Sequence, residues 1–159
     1  MSLFTESFQK GIENANKVEK QKREIEEVFK ELDREILNAT EGIISIEIKE
    51  NTRVNIWGTQ KRDENFLKQY TALIAIVLKQ DSKQKSYELA EIKTADNGGY
   101  PCRVIFDNQS NEALDKQSLR LIISDMLSSP KIGMIFNELL KHYQKVRNEE
   151  EELEKLLEY

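Results

Sequence analysis

The feature that most constrains this chain is an apolar run from Ala72 to Leu78, the longest in the sequence. A run of this length is too short to cross a bilayer, which takes about 20 residues. Its Ile and Val content, set between polar segments, is typical of a strand that is buried on both faces of a sheet. We therefore expect residues 70–79 to form the central strand of a sheet, against which the rest of the chain packs.

Four further strands are predicted around this one, at residues 43–49, 53–57, 87–93 and 100–106. In the first two, apolar and polar residues alternate, as they do in strands with one exposed face. A turn at 50–52 is predicted to join those two strands into a hairpin. A second turn, at Asp96–Gly99, joins the last two, because Asn-Gly sequences tolerate the positive φ angles that tight turns need.

Apolar residues at steps of three and four predict helices before and after the sheet. The first helix is predicted at 5–37, with Thr5 as its N-cap. Asp115 is expected to cap a second helix at 116–128, and Ser129-Pro130 to begin a third that continues to near residue 159.

The predicted fold class is therefore α+β, an antiparallel meander of about five strands flanked by a long N-terminal helix and two C-terminal helices. We expect a single domain over residues 1–159, since no linker or repeat divides it. Within it, 1–40 forms the long helix, 41–108 the sheet, and 115–159 the last two helices.

The composition of the chain limits the classes of function that we expect for this protein. The net charge is −5 and the pI is near 5.2, whereas nucleic-acid binding favours a basic face. Cys102 is the single cysteine, so no intrachain disulfide is possible and a reducing compartment is expected. The first residues lack the basic and apolar regions of a signal peptide, and no segment reaches transmembrane length. We expect a cytoplasmic protein without membrane contact.

The terminal helices are predicted to extend beyond the sheet. A helix of about 30 residues is about 45 Å long, whereas strands of seven to nine residues span about 23–30 Å. The projecting ends are expected to carry apolar stripes, formed by Ile25, Phe29 and Leu32 or by Val146, Leu153 and Leu157. Such a stripe needs a partner. The two ends pair with each other as an antiparallel coiled coil, pair across a homodimer, or hold a different protein.

A Glu-x-Lys tripeptide occurs twice on predicted strands, as Glu47-Ile48-Lys49 and as Glu91-Ile92-Lys93. Residues two apart on a strand point to the same face, so a carboxylate there could hold Mg²⁺ beside an ammonium that stabilises developing negative charge. The tripeptide resembles the second half of the motif of the restriction-endonuclease-like nucleases, in which an Asp, often after Pro, lies one strand earlier. The resemblance implies a Mg²⁺-dependent nuclease that uses Asp81, Glu91 and Lys93, although Asp81 follows Gln80 and not Pro. The alternative is a solvated charge pair on the sheet.

Two other residues are weaker candidates for chemistry. His142 is the only histidine and lies in the last predicted helix, away from any cysteine or second histidine that would complete a metal site. Cys102 alternates in phase with the apolar residues of its strand, which favours a core position over a nucleophile. Basic residues in the middle of the chain leave a third hypothesis open, a small nucleic-acid-associated dimer; they are Lys61, Arg62, Lys68, Lys79, Lys83 and Lys85.

The sequence favours a non-enzymatic interaction or regulatory protein that binds a macromolecular partner, in the manner of inhibitors, immunity proteins or adaptors. No cofactor is expected, apart from Mg²⁺ under the nuclease hypothesis. Acidic side chains on the sheet face and near the C-terminus would meet a basic partner. The candidate partner-binding residues are Glu47, Glu88, Glu91, Glu149, Glu150, Glu151 and Glu152.

Overall fold

The structure is a computed structural model, and it describes residues 2–54, 67–78 and 85–158. Helix α1 comes first and is followed by five strands and two helices. The elements in chain order are α1 (Leu3–Ala39), β1 (Ile44–Val54), β2 (Leu67–Val77), β3 (Ser86–Lys93), β4 (Cys102–Phe106), β5 (Gln109–Ala113), α2 (Lys116–Ser128) and α3 (Pro130–Leu157).

The strands form one antiparallel sheet in the order β1-β2-β3-β4-β5, so each strand pairs with its neighbour in sequence. This arrangement confirms the predicted α+β fold, with a long helix before the meander and two helices after it. None of the helices in the described ranges combines the length and the apolar composition that a membrane crossing requires.

Two details of the predicted sheet are wrong. The predicted turn at 50–52 is absent, because the chain continues through it as the single strand β1, with Glu50 opposite Thr71. Residues 55–57 of the predicted second strand lie outside the described residues. The fifth strand is β5, which sequence alternation does not indicate. It follows a two-residue turn in which Asp107 and Asn108 both have positive φ, the geometry that suits a tight hairpin.

Strand β2 contains the apolar run and is an internal strand of the sheet. Its residues Ala72, Leu73, Ala75, Ile76 and Val77 are all buried. Because successive side chains alternate between faces, this burial covers both faces of the strand, as predicted. The register of β2 with β1 and β3 then fixes which residues of those strands share each face.

One face of the sheet packs against all three helices in a single hydrophobic core. The sheet contributes Leu73, Ala75 and Val77 of β2 and Cys102 and Val104 of β4. The helices contribute residues that recur at steps of three, four or seven, which places them on one side of each helix. They are Ile25, Val28, Phe29 and Leu32 of α1, Leu119, Ile123 and Met126 of α2, and Ile132 and Leu139 of α3.

The ends of the helices follow their local sequence. Asp115 caps α2 as predicted: the backbone N–H of Ser118 donates to its carboxylate at 2.7 Å, and the Ser118 hydroxyl completes the capping box. Pro130 begins α3 at the position where a missing N–H costs least. The predicted N-cap of α1 is wrong, because the helix begins at Leu3 and Ser2, not Thr5, is its N-cap.

The end of α1 closes the outer edge of the sheet. Strand β1 lies at the edge, and the N–H groups of Ile44 and Ile46 donate to Thr40 Oγ1 at 3.0 Å and to Asp33 Oδ1 at 2.7 Å. The hydroxyl of Ser45 donates to the same Asp33 oxygen at 2.8 Å. Edge N–H groups that are already satisfied do not attract another strand, so this end of β1 is protected from edge-to-edge pairing.

Candidate interaction surfaces

Helix α1 consists of two halves that differ in what they contact. In the free half, residues 3–17, every residue is exposed, including Phe4, Phe8 and Ile12. In the docked half, residues 21–39, Phe29 and its neighbours on the same stripe enter the core. The apolar stripe is continuous in sequence but only its second part is covered. An exposed stripe with two phenylalanines is the kind of surface that marks an interaction site.

Gln21 contacts the body of the protein. Its side-chain oxygen accepts from the backbone N–H of Tyr100 at 3.3 Å, and the Tyr100 hydroxyl donates to Glu24 at 3.2 Å. Burial and this carboxylate raise the pKa of Tyr100, which therefore stays protonated. Further along, Lys116 of α2 pairs with Glu27 at 2.9 Å.

These contacts correct the prediction about which part of α1 projects. The prediction placed Ile25, Phe29 and Leu32 on the projecting end, and the structure buries all three. The end that projects is the N-terminal one. The reason is topological: α1 must return to the start of β1 at Ile44, so its last turns lie on the sheet and its first turns extend past the β3–β4 turn.

The end of α3 is a second exposed helical segment, the acidic tail, residues 147–158. All of its residues are exposed, and they include six glutamates against Arg147 and Lys155, a net charge of −4. Leu153, Leu156 and Leu157 lie on one side of the helix, since they are three and four residues apart. The four predicted partner-binding residues Glu149–Glu152 all belong to this segment, and Arg147 pairs with Glu151 at 3.6 Å.

The free half of α1 and the acidic tail do not cover each other. If they formed the antiparallel coiled coil that was one of the predicted arrangements, Phe8 and Leu157 would be shielded, but they are 70% and 85% exposed. Pairing within one chain is therefore not the arrangement of this structure. Both apolar stripes stay available for contacts between molecules.

The remaining predicted partner-binding acids lie on the polar face of the sheet, the face opposite the core. Glu47 and Glu88 both lie beside Ile74, one from each neighbouring strand, and Glu91 lies beside Ala72. Simple alternation would put residues 88 and 91 on opposite faces, because they are three apart. A bulge in the β2–β3 register, at Leu73/Ile74, restores both to one face.

The two Glu-x-Lys pairs flank strand β2 on this polar face. Lys49 and Glu91 lie on either side of Ala72, and Lys49 pairs with Glu47 at 3.3 Å. Lys93 lies beside Arg103, whose guanidinium approaches Glu112 at 3.8 Å. The first pair is thus a half-exposed surface ion pair, a geometry that contributes little to stability.

The structure brings together two of the three residues that the nuclease hypothesis names. Glu91 and Lys93 line a cavity of about 360 Å³ between α1 and the strand ends, together with Tyr70, Thr71 and Thr94. Asp81 lies outside the described residues. Within those residues, no group of three or more His, Cys, Asp or Glu side chains could hold a metal ion.

The basic residues of the third hypothesis are for the most part outside the described ranges. Lys61, Arg62, Lys79 and Lys83 belong to the two segments that the ranges omit. Lys85 is described, and its ammonium lies 5.5 Å from the centre of the Tyr87 ring, a cation–π contact. The nucleic-acid hypothesis thus stays a prediction.

Cys102 and His142 lie in the packed part of the molecule. Cys102 is fully buried, and burial raises the pKa of its thiol to about 11, so the thiolate that a nucleophile needs is disfavoured. His142 is half-buried on α3, and its Nε2 is buried with no hydrogen-bond partner. Cys102 therefore has the core position that its sequence phase indicated.

Sequence reasoning did not identify Phe4, Phe8 and Ile12 as a free surface, because the spacing that predicts α1 does not separate its exposed part from its buried part. They belong to the stripe at steps of three and four that predicts α1. Comparisons of the chain with protein-family models, with curated proteins and with solved structures find no significant match.

Proposed function

We propose that this protein is a non-enzymatic interaction protein of the inhibitor, immunity or adaptor type, and that its acidic tail binds a basic macromolecular partner. The observation that carries the proposal is the tail itself. It is a helical segment in which every residue from 147 to 158 is exposed, with a net charge of −4 and three leucines on one side.

The arrangement of charge and apolar surface supports protein binding over a solvated helix end. Glu149 and Glu152 border the side of the helix that carries Leu153 and Leu156, because residues three, four and seven apart share a face. A partner with an apolar groove and a basic rim would contact both at once. Opposite charges around an apolar centre speed association and select the partner.

The polar face of the sheet is a second surface with acidic residues, but more of its charge is balanced by neighbouring cations. Glu47 and Lys49 are paired there, and Arg103 approaches Glu112, so much of the charge on this face is balanced locally. Exposed Glu88 adds to the acidic character. We assign the tail the main part in binding a basic partner and the sheet face a supporting one.

The test is a capture experiment with a matched variant. The tagged full chain is incubated with lysate of its own host, and the bound proteins are identified by mass spectrometry at about 0.1 M and about 1 M salt. The variant replaces Glu149, Glu150, Glu151 and Glu152 by Gln, which keeps size and helix propensity. We expect a stoichiometric protein that the wild type binds, that the variant loses, and that high salt releases.

The outcome against the proposal is equally concrete. A set of proteins that binds wild type and variant alike, or that resists high salt, would show that the acidic tail is not the binding element. Co-eluting nucleic acid without a protein partner would contradict the proposal and favour the nucleic-acid hypotheses. Gln substitution at Glu88 serves as the control, since it removes one charge from the sheet face and leaves the tail intact.

The cavity beside Glu91 and Lys93 supports a second candidate function, the Mg²⁺-dependent nuclease. Its test is cleavage of DNA or RNA with and without Mg²⁺ by the wild type and by Glu91→Ala. Mg²⁺-dependent cleavage that disappears in the variant would establish the nuclease. Background cleavage that is equal in both proteins would eliminate it.

A further inference from the structure

The free half of α1 has a side-chain pattern that is complementary to itself when reversed. A line of residues along this half, beside Ile12, reads Phe4, Phe8, Gly11 and Ala15, two large residues followed by two small ones. Seven residues separate Phe4 from Gly11 and Phe8 from Ala15, so all four lie along one narrow line of the helix. Each of them is exposed in the folded chain.

From this pattern we propose that the free half of α1 binds the free half of a second copy of this chain in an antiparallel, two-fold symmetric pair. In that arrangement, Phe8 of one copy packs over Gly11 of the other, and Phe4 packs over Ala15, with the same contacts repeated by symmetry. Large residues then meet small ones in every layer, which is how helices interlock at close distance. A parallel pair would place Phe against Phe and leave space at Gly11.

No described residue requires glycine at position 11 of the isolated chain. A Cβ added there would meet no atom of the described residues within 4 Å, so none of these residues excludes a larger side chain. Glycine in a helix interior is nevertheless unfavourable relative to alanine. The close approach of Phe8 from a second copy supplies a reason for glycine at this position.

Charge favours this pairing over one between the acidic tails. Residues 3–17 contain Glu6 and Glu13 against Lys10 and Lys17, so two copies meet without net repulsion. Two acidic tails, each with a net charge of −4, would repel each other. Self-association is therefore assigned to α1, and the tail stays available for the basic partner.

The contact area fits a modest dimer. Phenylalanines bury about 150–250 Å² each, so the four in a pair bring about 600–1,000 Å². Ile12, beside the line of Phe4, Phe8, Gly11 and Ala15, and the half-buried Val18 bring the total towards the roughly 1,200 Å² at which stable interfaces begin. We expect a dimer that dissociates on dilution through the micromolar range.

Sedimentation of the full chain over a concentration series tests the dimer and its packing. Gly11→Leu should weaken dimerisation at least tenfold, because a leucine there occupies the space that Phe8 of the second copy fills. A helix that only needs stability would gain from the same change. Leu153→Ser is the matched control, an exposed leucine on the acidic tail, and should leave the dimer constant unchanged.

Spin labels distinguish the two orientations. Lys10 and Lys17 are both exposed and lie seven residues apart on the same side of α1, and buried Cys102 is protected from labelling. In the antiparallel pair, labels at residue 10 lie almost level, whereas labels at residue 17 are separated by about 22 Å along the axis. Equal distances at both positions, a wild type that stays monomeric, or a dimer that only Leu153→Ser dissociates would each overturn the proposal.

Discussion

Phe8 and Phe29 lie on one stripe of the same helix, yet one is 70% exposed and the other 6%. The difference does not arise from local sequence, since both residues are preceded and followed by apolar residues three or four positions away. It arises from what the helix passes over. The docked half lies on the sheet and beside α2, while the free half extends past the β3–β4 turn, beyond the strands and helices that the structure describes.

The two halves therefore have different roles in the energetics of the chain. Apolar residues of the docked half stabilise the monomer, because their burial belongs to intramolecular folding. The same residue types in the free half stabilise only what binds to them. A stripe that is uniform in sequence is thus divided into a part that folding buries and a part that stays exposed.

Alanine substitution at the two phenylalanines should give the largest difference. Phe29→Ala should lower the free energy of unfolding by about 3–5 kcal/mol, because it opens a cavity in the core. Phe8→Ala should change it by less than about 0.5 kcal/mol, since its side chain faces solvent in the monomer. Urea unfolding at low protein concentration, where a dimer would dissociate, measures both. Similar losses for the two variants would contradict the division of the helix.

The next effect concerns the edge of the sheet that the docked half protects. Asp33→Ala should destabilise the protein by about 1–3 kcal/mol, because the N–H of Ile46 and the hydroxyl of buried Ser45 lose their acceptor. The variant should also aggregate more readily, since an edge N–H becomes available to other strands. Asp33→Asn keeps an acceptor oxygen and should lose less than half as much. Unfolding curves and light scattering of the three proteins together test the assignment.

The sheet shows which strands can be predicted from sequence patterns and which cannot. Alternation and the apolar run locate β2 and β3 and the type of fold, because those signals report on burial of the strand itself. They fail at Glu50–Thr52, where polar residues suggest a turn but pairing with β2 keeps the chain extended. They also fail at Gln109–Ala113, which has no β-branched or aromatic residue and is a strand because a tight turn folds it back onto β4. The Asp107-Asn108 pair is the one local signal for that turn.

The interaction surfaces were predictable only in part for a similar reason. The acidic run at Glu149–Glu152 is visible in the sequence, and its exposure follows from its charge. That α1 is docked at one half and free at the other depends on which elements it meets in space. No pattern within residues 3–39 carries that information, so the sequence assigned the projection to the wrong end.

Glycine substitution at exposed lysines should distinguish the two halves of α1 by a smaller effect on stability. Lys30→Gly, in the docked half, should lower the free energy of unfolding by about 0.5–1 kcal/mol, because that turn must be helical for the core to form. Lys10→Gly makes the same chemical change in the free half, which can fray without unfolding the core. Its cost should appear as lost helicity in circular dichroism, with the unfolding midpoint unchanged. Equal shifts in midpoint would mean that the free half unfolds together with the core.

The smallest effect concerns the charge pair between the docked half and α2. The hydrogen bond and the charge of Lys116 lower the pKa of Glu27 below its ordinary value of 4.5. The folded protein therefore binds this proton less tightly than the unfolded chain. The contribution of the pair is fully present above the ordinary pKa and is lost as the pH falls through the lowered folded value.

Unfolding midpoints measured from neutral pH down to about pH 2 should show this difference between variants. Glu27→Gln should reduce stability slightly at neutral pH and should flatten the decline on the acid side. Glu13→Gln removes the same charge from the free half, where the side chain faces solvent, and should follow the wild-type curve. A Glu13 variant that flattens the acid decline as much as the Glu27 variant would show that electrostatics do not distinguish the halves. The division of α1 would then rest on apolar burial alone.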